Sequence, residues 1–203
     1  MTTIGITGPT GAGKTTLLRE VEKLGGAVID CDAVYHELLE SNIALQNELE
    51  RTFGPLRNGR GAIDRKKLGA IVFGDPEKLR QLNIISQTAV VRRTQELLEE
   101  CYAQRRALAA IDAIALLESG LGSRCDTTVA VVAPPEVRVR RIMDREGISE
   151  AYAWSRVRAQ KPDEFFIRGC NYALVNDGGD REEFATRARE LLQRILTTRN
   201  QDR

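Results

Sequence analysis

The residues best suited to chemistry lie near the start of the chain, in the run GPTGAGKTT at positions 8–16. A glycine, four residues and then Gly-Lys-Thr form the spacing of a phosphate-binding loop. The glycines let successive N–H groups point at one polyphosphate, and a helix starting near Lys14 adds its positive N-terminal end. A ligand-free glycine turn is the alternative, but a predicted strand precedes the run and a predicted helix follows it. The run therefore predicts a site for nucleotide phosphates.

Individual positions of this loop have expected tasks. Lys14 can reach the β and γ phosphates as a point charge, and the Thr15 hydroxyl can ligate the Mg²⁺ that bridges them. Thr16 can hold the α-phosphate, and an ordinary threonine at a helix start explains it equally well. The expected nucleotide-binding residues of the loop are Gly8, Thr10, Gly11, Ala12, Gly13, Lys14, Thr15 and Thr16.

Three classes of protein use such a loop for different ends. A signalling GTPase needs Asn-Lys-x-Asp, which the sequence lacks, and the Asp-x-x-Gly match at 144–147 comes too late in the chain to be a switch. A motor or assembly ATPase usually has an acidic pair after an apolar strand, whereas here Asp112 stands alone. A small-molecule kinase needs an acceptor site, a carboxylate that takes the acceptor's proton, and arginines around the transferring phosphoryl group.

The sequence contains candidates for these kinase parts. Asp30 and Asp32 come at the carboxyl end of the second predicted strand, where ligands bind in open parallel sheets. Asp32 is equally suited to be the N-cap of a helix that begins at Ala33, and the two roles do not exclude each other. A row of arginines with helical spacing is either a solvated face or part of a phosphate-binding lid: Arg138, Arg141 and Arg145, with Arg156 on the next helix.

The elements that must position these residues alternate short β-branched runs with longer helical runs, which indicates an α/β fold. The predicted strands are Thr2–Thr7, Ala27–Asp30, Ala107–Ile111, Thr127–Val132 and Tyr172–Val175. The predicted helices are 14–24, 32–40, 44–53, 64–73, 76–105, 137–145, 149–159 and 182–196. Because a helix is expected after each strand, we predict a three-layer α/β fold of the P-loop NTPase type, with a parallel five-stranded sheet flanked by helices.

The length of 203 residues favours one domain. The expected core comprises 1–31, 106–135 and 170–203. A helical acceptor-side insertion is predicted at about 32–105, because that stretch is too long for a single crossover. A helical lid is predicted at about 136–169.

Composition narrows the partners. The net charge is +1, so the chain as a whole attracts neither nucleic acid nor an anionic membrane strongly. No apolar run approaches the ~20 residues of a membrane helix, and the first residues lead straight into a predicted strand and leave no room for a signal peptide. We expect small-molecule substrates, no nucleic acid or membrane partner, and a monomer or weak homo-oligomer. The four cysteines have no CxxC spacing, which is typical of reduced thiols in a cytoplasmic protein.

Over nearly its whole length the sequence resembles one family, the dephospho-coenzyme A kinases, which are relatives of the nucleoside monophosphate kinases. The resemblance runs in order through GITGPTGAGKTT, GGAVIDCDAVYHELLE, GAIDRKKLGAIVFGDPEKLRQLN, LLESGL, VVAPPEVRVRRIMDREGIS, SRVRAQKP and YALVNDGG. The loop is generic, whereas the Asp-x-Asp helix, IVFGDPEKLRQLN and RVRAQ are far more specific. The resemblance implies phosphorylation of the ribose 3′-hydroxyl of dephospho-CoA by ATP with Mg²⁺, the last step of coenzyme A synthesis.

The resemblance also implies roles for single residues. Asp32 matches the family's general base, and Arg145 matches the lid arginine near the ATP phosphates, so that Asp32, Lys14 and Arg145 form the expected catalytic set. Asn176 falls in the loop expected near the adenine of ATP. On the acceptor side the implied residues are Asp32, His36, Gln87 and Leu116. His36 is the only histidine, and a partly exposed helical histidine without a ligand explains it as well.

Two departures from the family pattern concern the acceptor side. The family usually has His-Pro where this chain has Gln87-Thr88, and Pro where it has Ala115. Both positions are expected to shape the acceptor pocket. Two alternatives therefore stay open beside the dephospho-CoA kinase: a kinase acting on another nucleotide or nucleoside-like acceptor, and a non-catalytic nucleotide-binding protein.

Overall fold

The computed structural model describes residues 1–201 and has a five-stranded sheet at its centre. The strands are β1 (Thr2–Thr7), β2 (Ala27–Asp30), β3 (Leu108–Asp112), β4 (Thr127–Val132) and β5 (Tyr172–Val175), in the spatial order β2-β3-β1-β4-β5. The pairs β1–β3, β1–β4 and β4–β5 are parallel. The sheet is therefore the predicted parallel five-stranded one, with β3 shifted by one residue.

The strand order makes β1 the topological switch point. After β2 and β3 form on one side of β1, the chain crosses to the other side for β4 and β5. In open α/β sheets the crevice at the carboxyl end of such a strand is where ligands bind. The run at 8–16 follows β1 directly, so the fold places the candidate phosphate loop at that crevice.

Helices lie between and after the strands. They are α1 (Lys14–Lys23), α2 (Cys31–Ser41), α3 (Ile43–Phe53), α4 (Arg65–Val72), α5 (Pro76–Ala103), α6 (Pro135–Glu146), α7 (Glu150–Arg158), α8 (Asp163–Gly169) and α9 (Arg181–Gln201). Among the described residues, no helix is long and apolar enough to cross a bilayer.

Two expectations about the elements are wrong. No helix of the described chain follows β3 directly; turns and the short 3-10 helix Gly122–Arg124 lead to β4 instead. The sequence also does not reveal α8, because seven residues make too few turns for a period to show. Phe166 of α8 is 3% exposed and packs on Ala130 and Val132 of β4. The burial of this one aromatic side chain therefore stabilises the short helix.

The core beneath the phosphate loop is apolar on both faces of the sheet. β1 and β4 are buried along their whole lengths, as expected for the inner strands of a parallel sheet. The buried cluster that contains Ile4 and Ile6 also includes Leu17 of α1 and Leu192 of α9. The two helices thus share one core with the strand that leads into the loop.

The chain divides into two compact units. The first comprises residues 1–29 and those from 100 onward, and contains most of the sheet with the phosphate loop. The second, Asp30–Glu99, is helical and contains α2, α3, α4 and most of α5. The proposal of a helical insertion on the acceptor side refers to this second unit.

Candidate functional site

The phosphate loop needs glycine at both of its ends. Gly8 has a φ of +138°, and a Cβ there would lie 1.9 Å from the carbonyl oxygen of Val131. Gly13 has a φ of +109°, and a Cβ there would lie 2.3 Å from Nδ2 of Asn176. Only glycine fits such backbone angles beside such close neighbours, so the spacing of the motif follows from the fold.

The helix after the loop offers its amino end to an anion. α1 begins at Lys14, and among the described residues no side chain caps it and no acidic residue lies in its first turn. Its first N–H groups and the positive end of its dipole therefore suit phosphate oxygens. Lys14 curls back across the loop and donates from Nζ to the Gly8 carbonyl at 3.0 Å, while Thr15 is exposed.

Two arginines of α6 donate hydrogen bonds to the backbone carbonyls of the loop. Arg138 donates from Nε to the Thr10 carbonyl at 3.0 Å, and Arg141 donates from Nη1 to the Gly11 and Ala12 carbonyls at 3.1 and 3.3 Å. Burial lowers the pKa of each guanidinium, and a nearby carboxylate opposes that shift. An arginine stays charged under such conditions, so both are permanent cations in contact with the loop backbone.

Asn176 closes the loop on its other side. It lies just after β5, is 5% exposed, and donates from Nδ2 to the Ala12 carbonyl at 3.0 Å. Its Oδ1 accepts a hydrogen bond from Nη2 of Arg141 at 2.9 Å. The structure thus brings Asn176 to the phosphate loop, with both ends of its amide bonded to protein groups.

The side chain of Gln160 also contacts the phosphate loop, and no sequence motif predicts that contact. Its amide group forms hydrogen bonds with Thr10 and with Arg138, although it lies 150 residues from Thr10 in the chain. The available signal was the RVRAQ stretch, in which Gln160 is the last residue. Nothing in the spacing of that stretch indicates a contact with the loop.

Arg145 is not part of this network. It lies in the last turn of α6, its side chain is 60% exposed, and it donates to Oε1 of Glu146 at 2.6 Å. Arg156 of α7 also pairs with Glu146. A small apolar cluster joins the two helices through residues such as Ile142 and Ala153, so α6 and α7 form a packed pair.

In the second unit, Asp30 rather than Asp32 caps the amino end of α2, so the Asp32 carboxylate is not used for capping. Asp30, not Asp32, is the N-cap of α2: its Oδ1 accepts from the backbone N–H groups of Asp32 and Ala33 at 2.8 and 3.1 Å. The alternative role of Asp32 as the N-cap is therefore wrong by two residues, because α2 starts earlier than predicted. Asp32 is exposed in the first turn of α2, and His36 is exposed one turn later. Gln87 is half-buried on α5.

The second unit also contains a cavity of about 960 Å³. Apolar side chains of α2, α4 and α5 form most of its wall, together with the exposed Phe73. The polar and charged residues of the wall are Glu40, Asn58, Asp64, Arg65 and Lys66. Asp32, His36 and Gln87 are not among its lining residues. In the first unit, Leu116 is fully buried, with Cδ2 only 2.8 Å from where a Cβ of Gly5 would lie, so its side chain packs on β1.

A magnesium ion fits the donor atoms at the loop. The Thr15 hydroxyl is exposed at the first turn of α1. Asp112 ends β3, the strand beside β1, and lies in register with Ile6 just before the loop; its Oδ1 is buried. A hydroxyl and a carboxylate are hard oxygen ligands of the type that Mg²⁺ prefers. These residues would hold a Mg²⁺ that neutralises phosphate charge.

Comparison with known proteins decides the family. The family model described as dephospho-CoA kinase matches residues 2–182, which is most of the chain. The chain belongs to the dephospho-CoA kinase family. Curated dephospho-CoA kinases of Corynebacterium diphtheriae and Thermobifida fusca are 35% and 32% identical to it; the alignments cover 97% and 98% of this chain and 98% and 100% of those proteins.

Solved structures show the same fold. A crystal structure of a Thermus thermophilus protein has a TM-score of 0.77 and 34% identity, and the match covers 97% of each chain. The dephospho-CoA kinase from Campylobacter jejuni has a TM-score of 0.71 at 22% identity, covering 97% of this chain and 98% of that one. A shikimate kinase from Acinetobacter baumannii, at a TM-score of 0.54 and 19% identity, shares the fold over 98% and 94% of the two chains. The predicted fold class and family are thereby confirmed, and ATP is the nucleotide that this kinase family implies.

Proposed function

We propose that this protein transfers the γ-phosphoryl group of ATP to the ribose 3′-hydroxyl of dephospho-CoA, giving coenzyme A and ADP. The observation that carries the proposal is the family match over residues 2–182, which includes the phosphate loop, the Asp32 segment and the arginines of α6. The loop geometry supports the donor half of this proposal independently, because the glycines, the uncapped start of α1 and Lys14 all belong to one loop suited to phosphates.

On the donor side, the loop binds the triphosphate through its backbone N–H groups. Lys14 supplies a cation that can leave the Gly8 carbonyl for the β and γ phosphates. Mg²⁺ held at Thr15, with Asp112 nearby on β3, would supply further positive charge on the phosphate oxygens. We place Arg145 in the same role from α6, since its exposed guanidinium can pair with the transferring group.

On the acceptor side, Asp32 takes the proton. As the 3′-oxygen attacks, a P–O bond forms to the γ-phosphorus and the bond from that phosphorus to the β–γ bridging oxygen breaks. The hydroxyl proton passes to the Asp32 carboxylate, and ADP leaves with the bonding electrons. Asp30 supports this role because it caps α2 and leaves the Asp32 side chain exposed. Such a positioned base contributes roughly 10²–10⁴-fold to the rate.

The cavity of the second unit is our candidate for part of the acceptor's long arm. Its mostly apolar wall suits a flexible pantetheine chain, and the charged residues in that wall, Glu40, Asp64, Arg65 and Lys66, balance in sign. His36 and Gln87 lie outside that wall and are proposed as contacts of the adenosine part.

The four cysteines are free thiols, with no disulfide among the described residues, which supports the proposal that the enzyme works in the cytoplasm.

A coupled assay of ADP release tests the activity. We expect turnover that depends on both ATP and dephospho-CoA, with the phosphoryl group found on the 3′-oxygen. Dephospho-CoA-independent ATP turnover would contradict the proposal. Transfer to another nucleotide in an acceptor panel would favour the second candidate, which the Gln87-Thr88 departure motivates. ATP binding without transfer to any acceptor would favour a non-catalytic nucleotide-binding protein.

A further inference from the structure

Gln160 lies immediately after Ala159, the residue that ends α7, and its amide grips one residue of the phosphate loop. The Thr10 backbone N–H donates to its Oε1 at 3.0 Å, and its Nε2 donates to the Thr10 hydroxyl oxygen at 2.7 Å. Nη2 of Arg138 also donates to Oε1, at 2.5 Å. A backbone N–H and a guanidinium can only donate, so they fix which end of the amide is the oxygen.

Thr10 is consequently held at every polar atom. Its N–H and hydroxyl bind Gln160, and its carbonyl accepts from Nε of Arg138 at 3.0 Å. Pro9 precedes Thr10, and on either side of this pair lie Gly8 and Gly11, whose φ values are +138° and +83°. Glycines lose more conformational entropy on ordering than other residues. A grip between two glycines therefore removes freedom that phosphate binding would otherwise have to remove.

Buried charge strengthens this grip. The Arg138 side chain is only 4% exposed, and its Nη1 lies 3.6 Å from Oδ1 of Asp163 at the start of α8. Burial lowers the pKa of Arg138 and raises that of Asp163, while each residue's charge opposes the shift of the other. Hydrogen bonds to an ionised donor are roughly twice as strong as neutral ones. The oxygen of Gln160 is thus fixed from both sides, by the loop and by a buried cation.

We propose that Gln160 is a positioning residue of the nucleotide site, acting through Thr10 to hold the loop in its phosphate-binding form before the nucleotide arrives. The Thr10 N–H donates to Gln160, so Gln160 acts on the loop through Thr10. The inference rests on the nucleotide binding in the proposed function and is independent of the acceptor's identity. Affinity for ADP, measured without acceptor, therefore tests it separately from the phosphoryl transfer.

The first variant is Gln160→Met, which keeps the length of the side chain and removes both hydrogen-bonding groups. We expect ADP with Mg²⁺ to bind about tenfold more weakly by calorimetry, because an unmade buried hydrogen bond leaves the Thr10 N–H unpaired. The KM for ATP should rise similarly, while the KM for dephospho-CoA stays within about twofold. Gln193→Met, on the exposed face of α9, is the matched control and should bind ADP like the parent.

A double-mutant cycle tests the route through Thr10. Thr10→Val removes only the hydroxyl and should weaken ADP about threefold; in the Gln160→Met background it should have no further effect. Additive effects would overturn the route. Parent-like ADP affinity in folded Gln160→Met, even with a lower unfolding temperature, would show a purely structural role and overturn the proposal.

Two further outcomes are decisive. Should Gln160→Met not fold, Gln160→Asn retracts the amide by about 1.5 Å and takes its place; at least a threefold loss of ADP affinity is expected, and an unchanged affinity overturns the proposal. A parent that binds ADP but does not phosphorylate dephospho-CoA defeats the proposed function alone. A parent that does not bind ADP defeats both.

Discussion

The phosphate loop and the helical unit Asp30–Glu99 position their candidate residues in opposite ways. Around the loop, Arg138 and Asn176 are 3% and 5% exposed and are bonded to loop carbonyls. In the helical unit, Asp32 and His36 are exposed on α2. The residues proposed for nucleotide binding therefore lie on a backbone that buried side chains support, whereas two of those proposed for the acceptor, Asp32 and His36, are exposed side chains. Changes such as Gln87-Thr88 can then alter the acceptor side without disturbing the loop.

The largest expected effect is on the loop side. Lys14→Met should lower kcat by about 10³-fold, because it removes a cation aimed at the charge that develops on the phosphates. Steady-state kinetics with ATP and dephospho-CoA measure the change in kcat. The matched control is Lys78→Met, because Lys78 forms a surface ion pair with Asp75. A loss smaller than about tenfold would remove Lys14 from the catalytic set and blur the contrast between the two regions.

The acceptor side is tested next by Asp32→Asn. We expect kcat to fall by about 10²-fold or more, because the amide cannot take the hydroxyl proton. ADP affinity should remain within about twofold of the parent, since the loop is untouched. Asp30→Asn is the matched control, because asparagine caps a helix as well as aspartate does. Equal losses in both variants would point to damage in α2 rather than to a base.

Asn176→Asp tests whether the loop depends on its buried amide. A carboxylate can still pair with Arg141 but presents only acceptors to the Ala12 carbonyl. We expect ADP affinity to fall about tenfold, because the Ala12 carbonyl would face a carboxylate and keep only its longer hydrogen bond, from Nη1 of Arg141 at 3.3 Å. Calorimetry on the folded variant is the measurement. An unchanged ADP affinity would show that the loop keeps its form without this contact.

The smallest effect concerns the helices behind the loop. Glu20 of α1 is buried and pairs with Lys23 and with Arg189 of α9, and the Lys23 hydrogen bond is the largest cause that lowers its pKa below 4.5. We expect Glu20→Gln to lower the free energy of unfolding by about 1–2 kcal/mol at pH 7, since the partners are partly solvated. Chemical denaturation is the measurement, with the exposed Glu77→Gln as a control that should change stability little.

The pH dependence of this effect has a definite sign. Because the folded-state pKa of Glu20 lies below the unfolded value, its contribution is complete above about pH 4.5. The contribution is lost as the pH falls through the folded-state pKa. The stability gap between parent and Glu20→Gln should therefore close in acid, and a gap that persists there would assign the effect to packing instead.

The sequence alone was sufficient for the parallel sheet, the phosphate loop and the family. The sheet and the loop follow from local patterns: short β-branched runs, a glycine spacing that the backbone requires, and the start of α1 at Lys14. The family was indicated by a resemblance that runs over nearly the whole chain. The roles of Asp32, His36, Gln87 and Arg145 stay predictions. The cap of α2 was missed by two residues, because Asp30 and Asp32 have the same side chain and only the backbone path distinguishes them.

Tertiary structure decided what holds the loop. Gln160 is 150 positions from its partner Thr10 in the sequence, and Asn176 is 164 positions from its partner Ala12. No periodic pattern in a sequence predicts contacts between residues so far apart. The same holds for α8, which is too short to show a period and exists because Phe166 is anchored on β4. Glycines and β-branched residues determine the backbone geometry locally. The buried polar bonds that make the loop rigid arise only once the sheet brings distant side chains together.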